Sequence, residues 1–250
     1  MSKLRPGTLM LAAIASLFTA IPNATADTII APTEDVMTSA FFQGTNLVRG
    51  YNGEANRPNF RVSNDNAFGV GPETIYVQFS AGDFSGMSSV DQAILTMESV
   101  DGGFGANASA GDPFIVSAHG VNADPFTEIT DDTNPSGTIA WDDFFANNIL
   151  TANAAALTTV DAFGPVEFDV TSLVNDWLAG GNPHFVIALT GKNDPQLGNG
   201  GNGFLHGFRN NSNTAANEGF TFLTVSAIPE PGSMFIIGCV GVVAAIRRRK

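Results

Sequence analysis

An all-β fold, one antiparallel β-sandwich with a single short helix, is what the 250-residue sequence predicts for the region between its two ends. Three observations carry that expectation. Roughly ten short segments are rich in β-branched and aromatic residues, several with strict alternation of apolar and polar side chains. The stretches between them are dominated by Gly, Asn, Asp and Ser, residues that favour turns over helices. Only one segment has a clear helical spacing of apolar residues. No fixed-period repeat is present, so a solenoid or propeller is not expected.

The expected strands follow in order. Asp27 to Ala31 and Val36 to Phe42 flank a turn at Pro32, and Pro58 to Val62 follows a polar, Gly-containing loop. In Thr74 to Phe79, Ile75, Val77 and Phe79 point to one face and Thr74, Tyr76 and Gln78 to the other, the period-2 pattern of a half-buried strand. Ala93 to Val100, Pro113 to Val121, Val166 to Asp169, His184 to Thr190, Phe204 to Arg209 and Phe220 to Ser226 complete the set.

The helix is expected over Asp169 to Gly180. Asp169 or Thr171 can satisfy the free N–H groups of its first turn, Leu173, Val174 and Trp177 fall on one face, and Gly180 supplies a left-handed stop. A second, weaker segment starts near Asp142 or Asp143 and runs through Phe144, Phe145 and Ile149, as a helix or as a loop.

Charge narrows the function classes. Six of the eleven basic residues lie at the chain ends, Lys3 and Arg5 at one and Arg247, Arg248, Arg249 and Lys250 at the other. Between them five basic residues, Arg49, Arg57, Arg61, Lys192 and Arg209, face 23 acidic ones once Glu230 is set aside, a formal charge of −18. Such a surface repels phosphates, so nucleic acid is excluded as a partner. Cys239 is the single cysteine and lies in the C-terminal apolar run, so no disulfide staples the domain, which must be held by its core.

The two ends read as targeting segments. Lys3 and Arg5 precede an apolar stretch from Leu9 to Ile21, and Ala24 and Ala26 place small residues where signal peptidase reads, so residues 1–26 are expected to be a secretory signal peptide. At the other end Pro229-Glu230-Pro231 forms an extended spacer, because each proline fixes φ and lacks an N–H. Met234 to Ile246 then carries no charge, and four cations close the chain. That run is short for a permanent span of roughly 20 residues. A plain tail anchor and a terminal core helix are the alternatives, and the cations argue against the second.

The order of Pro-Glu-Pro, apolar run and basic cluster over the last 23 residues resembles the PEP-CTERM sorting domain of bacterial surface and matrix proteins. The resemblance implies a C-terminal transmembrane sorting helix over residues 229–250, processing by an exosortase, and sorting roles for Pro229, Glu230, Pro231, Arg247, Arg248 and Arg249. It makes signal peptidase, exosortase and the membrane the partners, and the cell surface or extracellular matrix the destination. The basic cluster stays cytoplasmic and the domain outside.

A second resemblance concerns residues 27–228. Tyr76 to Met97 looks like the strand, turn and strand of DNRLRE-type β-sandwich domains, Phe168-Asp-Val-Thr171 followed by Trp177 is similar to the helix of that family, and Phe220 to Val225 matches its closing strand. The resemblance implies a jelly-roll-like sandwich of the kind found in surface and polysaccharide-associated proteins, sometimes as a carbohydrate-binding module.

Residue chemistry within the domain is sparse. His119, His184 and His206 lack the spacing of a metal motif, and no Gly-x-Ser-x-Gly elbow accompanies them. A glycosidase needs only two carboxylates across a sugar, and nothing in the sequence selects a pair. Structural calcium has candidate ligands in the oxygen-rich loops, Asp131, Asp132, Asp142 and Asp143, with Glu34 and Asp35 as further candidates near the first strands. Solvated turn residues are the competing explanation. Lys192 to Gly203 is expected to be a flexible loop rather than a phosphate cradle, because no helix follows it. For sugar binding, Tyr51 and Trp141 are the aromatics expected on a loop surface, whereas Trp177 is expected in the core. The function expected is therefore a non-catalytic structural or adhesive domain. A carbohydrate-binding module for extracellular polysaccharide is the alternative, and a polysaccharide-degrading enzyme stands third.

Overall fold

Short alternating segments become strands because an extended chain can bury one set of side chains while its backbone bonds to neighbours on both sides. In a computed structural model of the chain, which describes residues 27–39, 59–63, 73–102, 107–123, 148, 154–191, 205–209 and 221–227, these segments form an 11-stranded sheet. The strands are β1 (Asp27–Ile30), β2 (Glu34–Ser39), β3 (Asn59–Ser63), β4 (Glu73–Gln78), β5 (Val90–Val100) and β6 (Phe114–Gly120), followed by β7 (Ala156–Val160), β8 (Gly164–Asp169), β9 (Val186–Thr190), β10 (Leu205–Arg209) and β11 (Thr221–Ala227). An α-helix, α1, spans Thr171–Leu178. Every segment expected to be a strand overlaps an observed one.

All the strand pairings are antiparallel. The order is β1-β11-β5-β10-β3-β4-β9-β6-β7, with β2 added on β4 and β8 on β5. The stretch Tyr76 to Met97 does not form a hairpin: β4 pairs with β2, β3 and β9, whereas β5 pairs with β8, β10 and β11. A 3-10 turn over Ala81–Phe84, capped by Ser80 Oγ accepting from the Gly82 N–H at 3.2 Å, carries the chain from one half of the sheet to the other.

One apolar core joins the two halves. Ile75 and Val77 from β4, Ile187 and Leu189 from β9 and Phe114 and Val116 from β6 belong to the same cluster as Leu95 and Met97 from β5, Phe168 from β8 and Leu223 from β11. The sheet therefore wraps around this cluster. Strand β10 crosses the end of β5 so closely that a Cβ on Gly207 would stand 2.8 Å from the Asp101 carbonyl oxygen and 2.9 Å from that of Val100. Only glycine fits there without moving backbone.

The outward faces of the two halves differ. On β4, β9 and β6 the side chains opposite the core, Thr74, Tyr76, Ala188, Thr190, Ser117 and His119, are all buried. The matching column of β5 is half-exposed or exposed, with the alternation that a one-sided strand shows.

The helix is fastened to β5 by two polar side chains one turn apart. Thr171 Oγ1 accepts the Ala93 N–H at 2.9 Å, and the Asn175 amide brackets Val90, its Oδ1 accepting the N–H at 2.9 Å and its Nδ2 donating to the carbonyl at 3.0 Å. At the N-terminus Val170 is the cap and makes no side-chain bond; Asp169 Oδ1 instead accepts from the Thr171 N–H at 3.1 Å and from its hydroxyl. At the other end Gly180 takes φ 75° as expected, with its N–H bonded to the Trp177 carbonyl at 3.0 Å and the Gly181 N–H to that of Asp176 at 2.9 Å. Leu173, Val174 and Trp177 are buried, as their shared face requires.

Two details depart from expectation. Strand β7 is unforeseen, because Ala156-Leu-Thr-Thr-Val160 is short and its largest residue, Leu157, points outward at 52% exposure. Strand β9 begins at Val186 rather than His184, because the Asn182 Oδ1 accepts the His184 N–H at 2.9 Å and holds that residue in a turn. Of the weaker segment near Asp142, only Asn148 is described, and its backbone is helical. Among the described residues no helix is long and apolar enough to cross a membrane; the N-terminal signal and the tail from Pro229 lie outside them.

Candidate functional site

The residues singled out from sequence for sorting, signal cleavage, calcium and sugar all lie outside the described residues: Pro229, Glu230, Pro231, Arg247, Arg248, Arg249, Ala24, Ala26, Asp131, Asp132, Asp142, Asp143, Tyr51 and Trp141. Glu34 and Asp35 are described. As neighbours on β2, opposite Gln78 and Val77, they project to opposite faces and do not form a pair. His119 lies on β6, His184 precedes β9 and His206 lies on β10, and among the described residues no cluster of three or more His, Cys, Asp or Glu side chains can hold a metal ion.

A different surface emerges on the outward face of β11, β5 and β8. The ladder aligns Phe222 with Thr96 and Glu167 across three strands, and Thr224 with Ile94 and Asp169 in the next row. On the other side of the Phe222 row, Glu98 stands opposite Pro165. Together with Gln92, the side chains of these rows other than Asp169 line a groove of about 520 Å³. A second hollow of about 620 Å³ shares Glu167 and continues past Asp169 to Leu157 on β7. The only arginines or lysines among the described residues are Arg61 and Arg209, and neither lines the groove. The surface is thus anionic, and its side chains are held by paired strands rather than by loops. The signal was present in the sequence as the outward column of β5, but which strands flank that column is invisible there.

A Ser and a His also meet, on the inner side. His206 is fully buried, its Nδ1 accepts the Ala108 N–H at 3.3 Å and its Nε2 faces Ser99 Oγ. Since the Nδ1 accepts, the neutral ring carries its proton on Nε2 and donates to Ser99. Ser99 in turn donates to the Ala162 carbonyl at 3.2 Å. This polarity is opposite to that of a hydrolase, whose imidazole takes the serine proton. The chain of bonds joins β5, β10 and the turns at 108 and 162, with Phe163 and Phe208 rings 5.5 and 5.8 Å from the imidazole.

Burial lowers the pKa of His206 from 6.5 to about 4, with Asp101 pulling weakly the other way. The native state therefore stays neutral in a window where the unfolded chain takes up a proton. Stability from this residue is intact above about pH 6.5 and falls as the pH drops towards 4, by up to about 1.4 kcal/mol per pH unit. Thermal melts between pH 7 and 4 should show this loss, and a His206→Gln protein should lose less over the same range. Equal slopes for the two proteins would show that His206 is not the group responsible.

No curated protein matches the chain. Residues 227–250 match the family model of the PEP-CTERM protein-sorting motif, a match that supports a PEP-CTERM protein, exported, transiently anchored in the membrane and processed by an exosortase at its C-terminus.

Proposed function

We propose that the chain is an exosortase-sorted surface or extracellular-matrix protein whose domain, residues 27–228, is a DNRLRE-like jelly-roll sandwich with a structural or adhesive, non-catalytic role. The observation that carries this is where the last described strand ends. Strand β11 ends at Ala227, the residue at which the sorting motif begins. Cutting near Pro229-Glu230-Pro231 then releases an intact domain without removing a ladder residue. The first and last strands also meet, Asp27 opposite Ser226, so both ends leave the domain at one corner. The buried Ser99–His206 pair, committed to backbone partners, supports a role without catalysis. Carbohydrate binding is the second reading, favoured by the groove on β11, β5 and β8.

Cells that hold the sorting enzyme test the proposal. Mass spectrometry of the surface protein should find the tail missing. Replacing Pro229 and Pro231 by Ala should leave an uncut, membrane-held form, because the cations behind the apolar run are costly to move across the bilayer. The melting temperature should not change. Recovery of Lys250 on surface-exposed wild-type protein would make the tail a simple anchor and end the sorting interpretation.

A further inference from the structure

We propose that the outward face of β11, β5 and β8 binds a cationic amino-sugar polysaccharide, a polymer with free amino groups left by partial N-deacetylation. The proposal rests on the carbohydrate-binding reading above and names its site and its ligand class.

Shape comes first. The two hollows share Glu167, so the surface runs continuously from Phe222 on β11 across β5 and β8 to Leu157 on β7. A linear polymer fits such a run, whereas a compact ligand would occupy one hollow. The side chains sit on paired strands, so little ordering is needed on binding.

Chemistry selects the sugar. Pyranose rings present C–H faces and a polar rim, and the groove offers both kinds of partner. Phe222, Ile94 and Pro165 supply apolar surface, while Glu98 and Glu167 supply acceptors beside them. Charge selects the amino sugar. Among the described residues no lysine or arginine lines either hollow, so a neutral glycan would displace water from Glu98 and Glu167 without offering a counter-charge. A uronic-acid polymer would be repelled outright. Protonated amines on the polymer satisfy these carboxylates, and the −18 charge of residues 27–228 draws the polymer in.

The test measures binding of the purified exported protein to four probes at low and high salt. The probes are partially N-deacetylated poly-N-acetylglucosamine, the fully N-acetylated polymer, a polyuronate and polylysine. The deacetylated polymer should bind best and weaken with salt. Glu98→Gln and Glu167→Gln should each cost about three- to fivefold and together about tenfold, with unchanged melting temperatures. Phe222→Ser should weaken sugar binding and not polylysine binding. Equal binding of the fully acetylated polymer, with no effect of the Gln variants, overturns the amino-sugar assignment and leaves carbohydrate binding standing. If no polysaccharide binds, both fall. If polylysine binds as tightly as the sugar and Phe222→Ser changes neither, the face is a general acidic patch and the proposal is wrong.

Discussion

Replacing Trp177 by Ala is expected to destabilise the protein by about 3–5 kcal/mol, the range for deleting a large buried aromatic side chain. The indole is 3% exposed and is the hub of an aromatic cluster. Its ring centroid lies 5.2 Å from that of Phe185, 5.9 Å from Phe84 in an edge-on arrangement, and 6.4 Å from Phe79. Those partners belong to three different connections: the end of β4, the 3-10 turn and the entry to β9. Removing the ring leaves a cavity where the helix, the turn and the sheet converge, and none of the three can close it alone. Trp177→Phe should cost much less. Its Nε1–H has no acceptor among the described residues, so the substitution removes an unsatisfied buried donor while keeping much of the packing. Urea unfolding of the two variants checks this. A loss below about 1 kcal/mol for Trp177→Ala would mean the cluster does not anchor the helix.

Breaking the buried ion pair between Arg61 and Glu73 is expected to have an effect of similar size. The guanidinium Nη2 donates to Glu73 Oε1 at 2.6 Å, with the residues 5% and 0% exposed. Glu73→Gln removes this carboxylate charge from beside the buried guanidinium, and Arg61→Met removes this cation from beside the buried carboxylate. Each should cost about 3–5 kcal/mol, whereas replacing both by apolar residues should cost far less, because the desolvation of two ions then disappears with them. The melting temperature should fall by roughly 10 °C in each single variant, at about 2–4 °C per kcal/mol for a domain of this size. A double-mutant cycle separates the coupling from the single losses. Additive losses in the double variant would refute a coupled pair.

The second effect cannot be foreseen from residue types alone. Arg61 counts in the sequence as one of five cations on an acidic chain, and its alternation within Pro58 to Val62 marks it as outward. It is buried because β3 meets β4 only at Ser63 opposite Glu73, which brings the carboxylate alongside. The same holds for His206. An isolated histidine within an expected strand gives no sign of Ser99, 107 residues earlier, or of the backbone N–H of Ala108. Thr171 and Asn175 fall within the expected helix, yet their bonds to the start of β5 could not be foreseen. Strand β7 went unforeseen for the converse reason. Its five residues have weak alternation, and what makes them a strand is the free edge of β6, to which Ala156 through Val160 pair.

What the sequence by itself determined is local: the identities of the expected strands, the Leu173, Val174 and Trp177 face of the helix, its stop at Gly180, and the C-terminal sorting motif. Each depends on how a few consecutive residues meet water, membrane or their own backbone, and period, capping and charge order record that directly. Only the tertiary structure decided which half of the sheet is buried on both faces, which side chains line the groove on β11, β5 and β8, and which polar groups are paired inside. Those outcomes depend on register between strands far apart in the chain, such as Thr221 opposite Met97 and Thr74 opposite Thr190. A one-residue slip in either ladder would turn every side chain to the other face, and the choice of register is made by the whole core at once.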